Sequence, residues 1–166
     1  MRSKSVQIVI FCALAAIFVW SCAPVGQDPF AELAKGFFAE VEGEVNGVAM
    51  AATVQAAPQC AGAPRAVTVT VYAPSGLSGT ILCRDEAGAV TVTVGELSAT
   101  LPEGEAFGAL FDLFPVTGEI TSVQLDENGH TRVTYAQGEL TLLPDGTPYA
   151  LRTPHATLRV VRFAGL

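Results

Sequence analysis

The chain has 166 residues, half of them hydrophobic, with nine basic against sixteen acidic residues and a formal net charge of −7. That length suits one domain with its own core, and the composition is too apolar for a disordered tether. An acidic surface repels phosphates, which argues against nucleic acid and against a polybasic membrane patch as partners.

At the N-terminus Arg2 and Lys4 precede an apolar run from Val6 to Trp20, interrupted by Gln7. A positive flank, a short apolar stretch and small residues after it form the pattern of a secretory signal peptide. As a helix, the stretch from Ile8 to Trp20 reaches about 20 Å at ~1.5 Å per residue. A bilayer core is about 30 Å thick, so cleavage is a better reading than a permanent span. The quartet Val19, Trp20, Ser21, Cys22 resembles the lipobox of bacterial lipoproteins, with Trp20 in the tolerant position and Cys22 in that of the acylated cysteine. An ordinary export signal and an uncleaved anchor are the other two readings. The resemblance implies a diacylglycerol on the Cys22 thiol and anchoring on the extracytoplasmic face of a cell membrane, be it inner, outer or single. Two or three acyl chains, at ~0.8 kcal/mol per buried methylene, hold a protein stably where one does not. The expected organisation is a signal peptide over 1–21, an acylated Cys22 with a flexible tether over 22–28, and one β-rich domain over 29–166.

Loss of the leader removes Cys12 and leaves Cys60 and Cys83 beside the lipidated Cys22. Outside the cytoplasm the two form a candidate disulfide worth about 3 kcal/mol, and two unpaired thiols on different strands are the alternative. No Cys-x-x-Cys or nearby histidine suggests a metal site, and no cofactor motif appears.

Asp28 and Pro29 suit the opening of a helix. Phe30, Leu33, Ala34, Phe37 and Phe38 recur at helical spacing. "FFAEVEGEV" already alternates like a strand, with Glu40, Glu42 and Glu44 on one wet face. Asn46-Gly47 predicts a hairpin turn returning into "VAMAATVQA", and "APQCAGAP" reads as loop. Val67, Val69 and Val71 alternate with Thr68, Thr70 and Tyr72, "LSGTILCRD" comes back, and "VTVTV" is followed by "ELSATL" on the same alternation. Phe107, Leu110, Phe111 and Phe114 fall at helical spacing and predict a second amphipathic helix. Strands then resume to the C-terminus, joined by the turns "DENG" and "PDGTP".

This amounts to nine or ten strands and two short helices without a βαβ rhythm. The expected fold is mainly β (α+β): a single curved antiparallel sheet, an incompletely closed barrel covered by the two helices. The order of elements, with "VTVTVYAPSGLSG" and "DEAGAVTVTVGE" in sequence, resembles the LolA/LolB-like lipoprotein-carrier fold. That resemblance implies a cavity between sheet and helices that holds acyl chains. Phe37, Phe107, Leu110, Phe111 and Phe114 are its candidate lining, and core packing is the plainer role for the same residues.

No catalytic constellation emerges. "GLSGT" has Thr80 where a nucleophile elbow has its second glycine, and it lies between strands. His130 and His155 flank turns without a partner nearby in sequence. Arg152, Arg159 and Arg162 form the one basic cluster, a candidate contact for lipid headgroups or an acidic partner. The expectation is a non-enzymatic, membrane-anchored lipoprotein that binds a lipid or acyl group. The alternative is an interaction lipoprotein with a filled core that docks on an envelope protein.

Overall fold

A computed structural model describes residues 28–101, 108–114 and 119–166. Cys22 and Phe107 lie outside the described residues, as does the expected signal peptide over 1–21. One turn of helix, α1 (Ala31–Ala34), precedes β1 (Phe37–Val45) and β2 (Val48–Ala56). Then come β3 (Val67–Ala73), a 3₁₀ turn (Ser75–Leu77), β4 (Thr80–Arg84), β5 (Val90–Val94) and β6 (Leu97–Leu101). A second turn of helix, α2 (Gly108–Phe111), is followed by β7 (Ile120–Leu125), β8 (Thr131–Tyr135), β9 (Gly138–Leu142), β10 (Pro148–Arg152) and β11 (Ala156–Gly165).

All eleven strands belong to one antiparallel sheet, in the order β6-β5-β4-β3-β2-β1-β11-β10-β9-β8-β7. The strand path starts with β1 at the centre, meanders outward to β6, and resumes at the opposite edge with β7. From β7 it meanders back until β11 pairs with β1. The sheet is open, with β6 and β7 as its edges. The expectation of a mainly β chain built on one antiparallel sheet holds. The extra strand comes from "VTVTVGELSATL", which turns at Gly95-Glu96 so that Val94 pairs with Leu97.

Alternation explains which face is inside. Phe37, Ala39 and Val41 of β1 are buried, as are Ala52, Val54 and Ala56 opposite them on β2. Val67, Val69 and Val71 continue the layer on β3, and Leu140, Leu151 and Leu158 on the other half. Residues directly opposite on paired strands share a face, so these side chains define one inner face. Glu40, Glu42 and Glu44 point outward, as their alternation predicts. Asn46 and Gly47 both take positive φ, 51° and 76°, which the tight hairpin between β1 and β2 requires.

The two amphipathic helices are corrected in extent. Among the described residues each is four residues long. Gly36, at φ 99°, ends the first, and Phe37 pairs with Ala56 and Gly165 instead. Phe30, Leu33 and Phe37 are all buried as their spacing predicts, but the last of them reaches the core from a strand. Around α2, Phe111, Leu113 and Phe114 are buried against the inner face.

Candidate functional site

The inner face divides into a filled part and an open part. In the filled part the Phe37 ring meets Phe114 edge-on at 4.9 Å and stacks on Phe163 at 5.5 Å. Phe30 stands edge-on to Tyr135 at 5.9 Å. Phe111 is buried and Leu110 is half-buried against the same cluster. Four of the predicted lining residues, Phe37, Leu110, Phe111 and Phe114, are therefore together. Phe37 and Phe114 pack ring against ring, and Leu110 and Phe111 belong to the same apolar cluster on the sheet.

Two arginines bolt this cluster to the strands. Arg65, almost fully buried in the β2–β3 loop, donates Nε–H to the Ala57 carbonyl at 2.6 Å and another N–H to the Leu33 carbonyl in α1. Its guanidinium lies 4.8 Å over the Phe37 ring, a favourable cation–π geometry. Burial, and secondarily the charge of Arg84, push its pKa down to about 10, so it stays charged at neutral pH. Arg84 of β4 donates to the Arg65 carbonyl at 3.0 Å and to Asp112 Oδ1 at 2.8 Å, and sits 5.2 Å over Phe111. The turn of α2 is thereby tied to β4 through Asp112, and α1 to the β2–β3 loop through Arg65. Burial also drives the Tyr135 phenol up to about 12.

Toward both sheet edges the inner face is left open. Val90 of β5 is buried, and Val94 and Leu97 lie on its face because Val90 pairs with Leu101, Val92 with Ala99 and Val94 with Leu97. Yet Val94 is 54 % exposed and Leu97 80 %. On β7, Val123 faces the fully buried Val133, and Leu125, two residues on, shares that face. They are 58 % and 73 % exposed. Large apolar side chains on the inner side of a curved sheet, exposed at both edges among the described residues, form an apolar surface of the kind that marks interaction sites. In the sequence these strands read as ordinary half-buried ones. The uninterrupted apolar set Val90, Val92, Val94, Leu97, Ala99 and Leu101 was the available signal.

The outer face is polar. Glu42 accepts from Arg159 at 3.2 Å, and Glu40 faces Arg162 at 3.6 Å. The carboxylate row and two members of the basic cluster are thus neighbours across β1 and β11. Strict alternation would put Arg159 and Arg162 on opposite faces. A bulge corrects it, since Glu40 pairs with Arg162 but Val41 with Val160, leaving Val161 as an extra residue. A second irregularity, between Ala51 and Ala52, leaves Tyr72 extra on β3. Between these two bulges lies a groove of about 310 Å³ lined by Glu40, Glu42, Thr53, Tyr72 and Val161. Arg152, on β10, is exposed and shares the outer face with Arg159, because Ala150, two residues before it, pairs with Arg159.

The remaining sequence candidates stand alone. His130 Nδ1 is 3.4 Å from Asp126 within its own turn, and His155 is exposed. Cys60 is exposed in the β2–β3 loop and Cys83 is half-buried on β4 with its Sγ 3.6 Å from Thr68 Oγ1; both stand as free cysteines in the structure. No group of three or more His, Cys, Asp or Glu is arranged to hold a metal among the described residues. No helix of the described residues is long and apolar enough to cross a membrane.

No family model and no curated protein matches this chain. Among solved structures it is similar to an uncharacterized conserved protein from Thermus thermophilus, at a TM-score of 0.52 and 17 % identity, over 81 % of each chain. Likeness at that identity speaks for the fold alone.

Proposed function

We propose that this chain is a non-enzymatic, membrane-anchored lipoprotein that holds an acyl chain or lipid against the open inner face of its sheet. The observation that carries the reading is the exposure of Val94, Leu97, Val123 and Leu125 on the face whose remaining apolar residues form the core. The Phe37–Phe114–Phe163 cluster then serves as the closed floor of the site, and the acyl chain lies toward the edge strands instead of among the Phe-rich turns. The lipobox-like Val19-Trp20-Ser21-Cys22 supplies the anchor, and the LolA/LolB-like order of elements agrees with an acyl ligand. The alternative, docking on an envelope protein, is favoured by one observation, the filling of the inner face around Phe37 by aromatic packing.

Native mass spectrometry of the chain carrying Cys22→Ser, purified from cells and then incubated with a phospholipid and a free fatty acid, separates the two. The acyl reading predicts a bound lipid mass that is lost in Val94→Asp/Leu125→Asp with the circular dichroism unchanged. A mass without lipid, before and after addition, supports the docking reading.

A further inference from the structure

We propose that β6 is a self-association edge, through which two copies of this chain join their sheets antiparallel about a two-fold axis at Ala99. The argument begins with the hairpin. Its two-residue turn, with Gly95 at φ 60°, makes Val94 and Leu97 a hydrogen-bonded pair, and such pairs alternate along an antiparallel ladder. Leu97, Ala99 and Leu101 therefore spend their backbone groups on β5. Those of Ser98 and Thr100 point to the free edge, which has no partner strand among the described residues.

The strand reads Leu-Ser-Ala-Thr-Leu, which is chemically the same in both directions. Pairing with a second copy about Ala99 sets Ser98 opposite Thr100 of the other chain and joins them by two backbone hydrogen bonds, with the symmetric pair adding two more. Leu97 meets Leu101 of the other copy on the inner face. On the outer face the hydroxyls repeat an arrangement already present within the hairpin, where Thr93 and Ser98 lie 2.9 Å apart and Thr91 and Thr100 3.4 Å. The two inner faces stay on one side, so the apolar surface at Leu97 is extended, not closed.

Charge selects the same occupant. The chain carries a net charge of −7, yet β6 has no charged residue, so two copies meet there without like charges opposed. Edge strands not meant to pair are blunted by charge, proline or a bulge. None occurs within β6, which pairs regularly with β5 over all five residues. The other edge, β7, is interrupted between Ile120 and Ser122.

The test is disulfide trapping of the full chain, made with its own leader, in membranes, in a Cys60→Ser/Cys83→Ser background. Ala99→Cys faces itself at about 4.5 Å between Cα atoms, within the range a disulfide spans. Leu97→Cys stands about 13 Å from its own copy by strand rise. On mild oxidation Ala99→Cys should give at least ~10-fold more dimer than Leu97→Cys. Ser98→Lys/Thr100→Lys, added to Ala99→Cys, should abolish the dimer, and Ser98→Lys/Thr100→Glu should restore it. Equal trapping at positions 97 and 99, no dimer at 99, or indifference to the charge pattern would each overturn the proposal.

Discussion

Gly43 marks the seam that joins the two halves of the sheet, and replacing it by alanine tests how tightly that seam is closed. Gly43 pairs with Leu158 across β1 and β11. A Cβ at this position would overlap the Thr157 carbonyl oxygen and stand 3.0 Å from the Leu158 Cα. Both are backbone atoms of the partner strand, so no rotamer change relieves the overlap. The strands must move apart. Overpacking in a close-packed region costs about 1–3 kcal/mol, and a φ of 153°, which side-chain-bearing residues rarely adopt, adds a cost of order 1–3 kcal/mol. We expect Gly43→Ala to lose about 3 kcal/mol. At ~2–4 °C per kcal/mol for a chain of this size, Tm should fall by about 6–12 °C. Urea titration followed by circular dichroism measures the loss. Gly165→Ala is the control, on the same two strands with no atom within 4 Å of its Cβ, and should stay within ~0.5 kcal/mol of the parent. A Gly43→Ala midpoint that matches the control would refute the close approach of β1 and β11.

Arg84→Met removes a charged hydrogen bond to the Arg65 carbonyl from a side chain only 15 % exposed, and should cost about 1.5–3 kcal/mol. Asp112→Asn, breaking the ion pair from its exposed end, should cost under ~1 kcal/mol; equal losses would contradict the assignment. Backbone N–H groups, that of His130 foremost, hold the Asp126 carboxyl below the usual carboxylate range, and that of Thr147 does the same for Asp145. Their contribution is present above the unfolded pKa of about 3.9 and lost as pH falls through the lower folded value. Asp126→Asn/Asp145→Asn should therefore flatten the fall in urea midpoint below about pH 4, and an unchanged acid limb would tell against it. Maleimide mapping without reductant should modify Cys60 quickly and Cys83 slowly, whereas protection of both until reductant is added would indicate a bridge.

Much of the sheet was legible because a half-buried strand writes its pleat into the sequence. Glu40, Glu42 and Glu44 against Phe37, Ala39 and Val41 announced β1 and its two faces, and Asn46-Gly47 announced the turn after it. The helices were over-read for a physical reason. A residue four positions after a helical one is buried whether it continues the helix or begins a strand on the same core, as Leu33 and Phe37 do. Bulges were invisible, since one extra residue inverts the alternation without any compositional mark, and the shared face of Arg159 and Arg162 went unread with it. The open inner surface was hidden for a different cause. Val94 and Leu125 look like core residues in sequence, and their exposure depends on where the sheet ends and on what covers it.

The most direct test of the acyl-binding account is photolabelling of the Cys22→Ser chain with a diazirine-bearing fatty acid, followed by peptide mapping. The account predicts label on the inner-face residues of β5, β6 and β7, with Val94, Leu97, Val123 and Leu125 foremost, and its displacement by unlabelled fatty acid. Label confined to the outer groove around Tyr72 and Val161, or label that competitor does not displace, would contradict it.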